Sequence, residues 1–147
     1  MEKIIRAFWY VSVLVVFGGM MYSFAGLPEE VQLLEGLDPF SKDIYFYIIL
    51  AIIALSNFLI YSVSYRFAKR KQVNAVVSVL PTWLGSLNFT LNLFYFVGLM
   101  YVMMYNSNEK WDYQLLGYGV MVSIGLITVS LFSLPFLILY NKQNKQS

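Results

Sequence analysis

Apolar residues dominate this chain in long blocks, and the charged residues between them mark where each block ends. No Asp, Glu, Lys or Arg occurs in Ala7–Pro28, Ile44–Tyr65, Gln72–Asn108 or Tyr113–Asn141. A bilayer core about 30 Å thick is crossed by roughly 20 apolar residues of helix. Each block can therefore hold one span, and the pattern predicts spans over about 7–25, 44–64, 84–105 and 115–140. The expected fold is an all-α membrane protein, an antiparallel bundle of four transmembrane helices in one domain covering 1–147. Outer loops are expected at 26–43 and 106–114, with an inner hinge at 65–83.

The connections carry their own signals. Aromatic Phe8-Trp9-Tyr10 at one edge of the first block, with Tyr22 and Phe24 at the other, favours an uncleaved span over a signal peptide. In the first loop, Leu27 to Gly36 reads as a short surface helix: Pro28 suits a first turn, Glu29 and Glu30 suit its positive end, and Gly36 closes it. Val73 to Tyr105 is too long for one straight span, and Pro81 is its natural break. The segment 73–80 is therefore expected as a re-entrant or surface piece, with a helix kinked at Pro81 as the alternative. Pro135 should bend the last turns of span four, and the tail from Asn141 should be disordered.

Charge then orients the chain. The dense basic cluster around Arg66, Lys69, Arg70 and Lys71 sits mid-sequence, and Lys3, Arg6, Lys142 and Lys145 lie near the ends. That is eight of the ten Lys and Arg residues, whereas seven of eight acids fall in or beside the other two loops. Lys and Arg concentrate on the cytoplasmic side of membrane proteins, so both termini are expected in the cytoplasm. The expected location is a bacterial inner (cytoplasmic) membrane.

Composition limits the chemistry. Only 12% of the residues are charged, and there is no Cys and no His. Disulfides, thiolate nucleophiles, imidazole bases and ligation through those side chains are excluded. No span carries a carboxylate, Lys or Arg, the usual mark of ion-coupled transport. Catalysis is not expected, and neither are a cofactor, a metal site or a nucleic-acid partner.

Two constellations remain. Asn57, Asn88 and Asn92, with Ser130 and Ser133, fall at similar depths in their spans. Amides are costly in hydrocarbon, so these residues should face one another, either fixing the packing or lining a small polar pocket. Met20, Met21, Met100, Met103, Met104 and Met121 all fall near the outer leaflet. Thioethers suit Cu(I), but Met is also the adaptable packing residue of apolar interfaces, and packing or partner contact is the expectation. Gly18-Gly19, Gly119 with Ser123, and Ala51 with Ala54 are candidate points of close helix approach.

Leu27-Pro28-Glu29-Glu30-Val31, then Asp38-Pro39 and Ser41-Lys42 ahead of a second span, resembles the front domain of the SdpI-type bacterial membrane proteins over the first third of the chain. That resemblance implies a link with toxin immunity and signalling. Where that family continues with Pro-x-His-Phe, this chain has Gln32-Leu33-Leu34-Glu35, so no family residue is carried over. Two functions are consistent with all of this. One is a non-catalytic accessory or assembly subunit, in contact with lipid and other membrane subunits. The other is a small transporter, channel or immunity-type binding protein using the Asn57/Asn92 layer.

Overall fold

A computed structural model describes residues 2–33, 36–69, 75–107 and 113–144. The element order is α1 (Glu2–Gly26), β1 (Glu30–Val31), β2 (Phe40–Ser41), α2 (Lys42–Ala68), α3 (Ala75–Tyr105) and α4 (Tyr113–Asn144). Each of the four helices is long and apolar enough to cross a membrane, as a multi-pass membrane protein requires.

The third helix holds the assembly together. Among the described residues, α1 and α2 both pack on α3, while α4 packs on α3 alone. The central core joins α1, α2 and α3 through Val16, Met20, Ile53 and Leu99, with Phe46, Tyr95, Phe96 and Met100 packed around them. Most of α2 and α4 is bare, and the exposed side chains are apolar: Leu55, Phe58, Leu115, Val129, Phe132 and Phe136 among them. An apolar surface of that kind is what a helix presents to lipid.

Three expectations need correction. The first concerns the loop after α1. The segment expected as a surface helix instead contributes a strand: Glu30 pairs with Ser41 and Val31 with Phe40, antiparallel. Gly36, at φ 85°, lies on the way back between the two strands. A helix of about ten residues is marginal without tertiary support, and here the competing partners are close at hand. Asn106 Oδ1 accepts from Gln32 N at 2.7 Å, and Asn106 Nδ2 donates to Gln32 O at 2.9 Å. That one side chain thus mimics a neighbouring strand and ties the loop to the end of α3. Leu27 and Val31, expected on the membrane surface, are buried against Tyr45. Leu34 and Glu35 lie outside the described residues.

The second concerns Pro81. Residues 75–80 are neither re-entrant nor separate; of the two readings the continuous one holds, and α3 is one helix of 31 residues with Pro81 inside it. Proline removes one helical hydrogen bond, that to the Val77 carbonyl. At 1.5 Å per residue α3 is about 46 Å long, more than a bilayer core alone requires. The hinge therefore shrinks to 69–74, most of which lies outside the described residues. Third, the tail does not end the structure at Asn141. Helix α4 continues to Asn144, and Asn141 Nδ2 donates to Ser78 Oγ at 2.5 Å, pinning the end of α4 to the start of α3.

The small residues divide. A Cβ on Gly19 would lie 2.7 Å from the Phe96 ring, and one on Gly119 would lie 3.0 Å from Val97, so these two mark close approaches to α3. Gly18 has open space beside it, and Ala51 and Ala54 are exposed, so none of the three is a contact point.

Candidate functional site

The most organised polar feature is a chain of amides between α1, α2 and α3. Asn57 Nδ2 donates to the Ile53 carbonyl and to Asn92 Oδ1, both at 2.9 Å. Asn57 Oδ1 accepts from Asn88 Nδ2 at 2.9 Å and from Asn92 Nδ2 at 3.2 Å. Asn92 Nδ2 also donates to Ser12 Oγ at 2.9 Å, and Ser12 in turn donates to the Trp9 carbonyl at 2.8 Å. All four side chains are buried. An amide needs partners for two donor hydrogens and one carbonyl oxygen. Asn57 and Asn92 meet that demand within the cluster.

Asn88 does not. Its NH₂ must face Asn57, because the oxygen of Asn57 is fixed as an acceptor by the two bonds that the Asn57 nitrogen donates. Turning Asn88 over would set oxygen against oxygen. Its carbonyl is therefore the end left over, and Asn88 Oδ1 is buried without a hydrogen-bond partner. Among the described residues one other buried side-chain atom shares that condition, Trp9 Nε1. One is an acceptor and the other a donor.

Both residues line one cavity of about 70 Å³. Trp9 comes from α1; Tyr61, Ser64, Tyr65 and Ala68 from α2; Pro81, Thr82 and Asn88 from α3. Asn88, 1% exposed, lies at the deep end, whereas Tyr65 and Ala68 are exposed and mark the open end. The aromatic wall is ordered. Trp9 stacks on Tyr61 with ring centroids 5.0 Å apart and planes at 9°, and Tyr61 stacks on Tyr65 at 6.0 Å. Lys69 holds its ammonium 4.4 Å from the centroid of the Tyr65 ring, so a positive charge stands beside that wall. Among the described residues the lining contains no carboxylate. The volume exceeds the roughly 10–15 Å³ that one water requires.

The chain matches no protein-family model, and no curated protein or solved structure matches it either. The chemistry of the site has to be read from its own atoms.

The remaining candidates are placed as follows. Ser130 and Ser133 do not join the amides. The Ser130 carbonyl accepts from Trp83 Nε1 at 2.7 Å and from the Ser133 hydroxyl at 2.7 Å, so both serve the seam between α3 and α4. Depth along the axis matched, but α4 lies behind α3 rather than beside α2. Arg66 is exposed at the end of α2 and Lys69 follows it, while Arg70 and Lys71 lie outside the described residues. The methionines separate into two groups. Met20 and Met100 are packed in the central core and Met103 lies against Gly26, whereas Met21 and Met121 are exposed. Met104 is half-buried. Tyr95 donates its hydroxyl to Ser56 at 3.1 Å. Sequence reasoning missed Ser12 and Trp9. Ser12 is the one Ser, Thr, Asn or Gln between Ala7 and Met21, a signal that could have marked the α1 face turned toward the amides.

Proposed function

We propose that this protein is a non-catalytic, multi-pass membrane protein whose activity is to bind a small hydrogen-bonding molecule in the cavity between α1, α2 and α3. The observation that carries this reading is the pair of unmatched atoms, Trp9 Nε1 and Asn88 Oδ1, on residues of one cavity wall. A buried polar group without a partner costs about 1–3 kcal/mol. A molecule offering one acceptor and one donor would recover both costs on binding. This deepens the polar-pocket reading of the Asn57/Asn92 layer and moves its business end to Asn88.

The proposed arrangement is an alternating bundle with both termini in the cytoplasm, in a bacterial inner membrane. The order of contacts supports the alternation. Phe8 meets Phe89, Ser12 meets Asn92 and Gly26 meets Met103, so α1 and α3 run the same way. Ser56 meets Tyr95 and Ser64 meets Pro81, so α2 runs against them, and Trp83 with Ser130 and Ser78 with Asn141 give the same sense for α4. Positive charge at Arg66 and Lys69 supports a cytoplasmic position for that end. A cysteine introduced at Ser41 or at Ser107 should react with a membrane-impermeant thiol reagent added outside intact cells. Labelling of either one only after lysis would reverse the orientation.

A second reading is an accessory subunit of a larger membrane complex, favoured by one feature: among the described residues α4 is held by α3 alone, and much of its surface is bare. A native mass spectrum of the protein released from gentle detergent separates the two. A retained small-molecule adduct, absent in the cavity-filling variant Ala68→Phe, supports binding. Stoichiometric protein partners support the subunit, and a bare monomer counts against both.

A further inference from the structure

We propose that the hairpin of β1 and β2 takes up an extended, basic peptide as a third strand, paired along the free edge of β1. The inference is separate from the cavity: the hairpin stands at the opposite end of the bundle and uses none of the cavity's residues.

Strand geometry defines the edge. Along an extended strand, alternate residues turn their N–H and C=O to opposite sides. Lys42 N donates to the Glu29 carbonyl at 2.8 Å, so Glu29 and Val31 turn their backbone groups toward β2. Glu30 and Gln32 therefore turn theirs the other way. The Gln32 groups bear this out, because both are met on that side by the Asn106 amide, at 2.7 and 2.9 Å. Asn106 thus already occupies one residue's place in a third strand. Glu30 is exposed, and among the described residues no group meets its N–H or its C=O on that edge. An incoming strand finds two backbone groups open at Glu30 and two more at Gln32 held only by a side chain.

The Asn106 clamp can give way. Its bonds to Gln32 are exposed, so water replaces them at little cost, and Nδ2 keeps a second bond to the Val102 carbonyl at 2.8 Å. An uncovered edge is a template for pairing, and main-chain bonds of this kind are how sheet edges capture extended peptides. Those bonds do not choose the partner; charge does. The connection 27–43 carries five acids against one lysine. Glu29, Glu30, Asp38 and Asp43 are exposed, while Lys42 holds its ammonium 4.7 Å from the centroid of the Phe24 ring. A basic strand is therefore favoured and an acidic one repelled. A second copy of this chain is disfavoured too, since its β1 would set Glu29 and Glu30 against the same pair. In the proposed orientation the edge faces outward, within reach of a peptide in solution.

The test is binding of a fluorescent Lys-Thr-Lys-Thr-Lys-Thr-Lys peptide to the full chain in a neutral detergent, followed by anisotropy. Two peptides of the same length accompany it: Glu-Thr-Glu-Thr-Glu-Thr-Glu, and the basic peptide with every internal amide N-methylated, which keeps the charge and cannot donate to the edge. The basic peptide should bind about tenfold more tightly than either. Glu30→Gln removes only a charge and should weaken binding about two- to threefold. Glu30→Pro also removes the outward N–H, which the hairpin does not use, and should weaken binding about tenfold. Equal binding of the basic peptide and its N-methylated form would overturn the proposal, leaving charge attraction alone. So would Glu30→Pro binding as well as Glu30→Gln, or a dimer formed without peptide and lost in Glu30→Pro, which would give the edge to a second copy. If Glu30→Pro unfolds earlier in SDS, the N-methylated peptide on the parent protein decides: its failure to bind supports strand pairing.

Discussion

Replacing Asn57 by Leu should destabilise the protein by about 2–4 kcal/mol, whereas Asn88→Leu should cost under about 1 kcal/mol. The two side chains are alike in type, burial and neighbourhood, so the difference comes from position in the hydrogen-bond chain. Asn57 takes part in four bonds. Its loss leaves the Asn88 nitrogen without its partner, the Asn92 oxygen without its donor, and one Asn92 hydrogen without an acceptor. Interhelical bonds in membranes average only about 0.6 kcal/mol, but the larger part of the effect here is the set of groups left unmatched rather than the bonds lost. Asn88→Leu removes a single bond, leaves Asn57 Oδ1 with Asn92, and deletes a carbonyl that had no partner. Unfolding of purified protein in mixed micelles with increasing SDS measures both. Equal losses for the two variants would mean that the amides contribute packing volume only.

The same cluster shows how far the sequence could be read. Uncharged blocks bounded by charge located all four helices, because a hydrocarbon core tolerates so few charged residues that their absence is diagnostic. Asn57, Asn88 and Asn92 stood out for the same reason. Serine gives a weaker signal. Its hydroxyl can bond to a carbonyl one turn back in its own helix, as Ser12 does with Trp9 and Ser133 with Ser130, so its presence says little about which way it faces. Ser12 therefore stands out far less than the amides, and depth alone groups Ser130 and Ser133 with them. Depth is one coordinate of three, and lateral order around α3 is set by side-chain fit that no periodicity encodes.

The loop and Pro81 failed in a different way. Local propensity favoured a helix at Leu27–Gly36 and a break at Pro81, and distant partners decided otherwise. Asn106, 74 positions away from Gln32, supplies the loop with the strand-like pairing its backbone adopts. At Pro81 only one helical bond is lost, and contacts on both sides hold the helix in place: Ser64 donates to the Pro81 carbonyl at 3.4 Å, and Asn141 holds Ser78. The cavity was invisible for a related reason. It is bounded by three helices, and the two unmatched atoms become meaningful only once Trp9 and Asn88 are seen to share its wall.

Gly18 and Gly19 are neighbours in sequence, yet bulky substitutions at them should behave as opposites. At Gly19 a Cβ would meet Phe96 Cδ2 at 2.7 Å and Cε2 at 2.8 Å, with the Met100 methyl at 3.6 Å behind. Phe96 is itself packed against the core of Met20, Ile53 and Leu99, so Gly19→Leu should push α1 away from α3. Overpacking of that kind costs about 1–3 kcal/mol, and here separation of the helices would also stretch the Asn92–Ser12 and Ser23–Leu99 bonds on either side. A Cβ at Gly18 meets nothing within 4 Å, and the position is exposed. Gly18→Leu replaces the poorer helix former, a gain of up to about 1 kcal/mol. In the same SDS titration Gly19→Leu should unfold well before the parent protein and Gly18→Leu at or beyond it. Crossing α1 over α3 at Gly19 is what brings Ser12 and Trp9 within reach of Asn92 and Asn88. Retention of a small-molecule adduct in the cavity should therefore fall in Gly19→Leu and survive in Gly18→Leu.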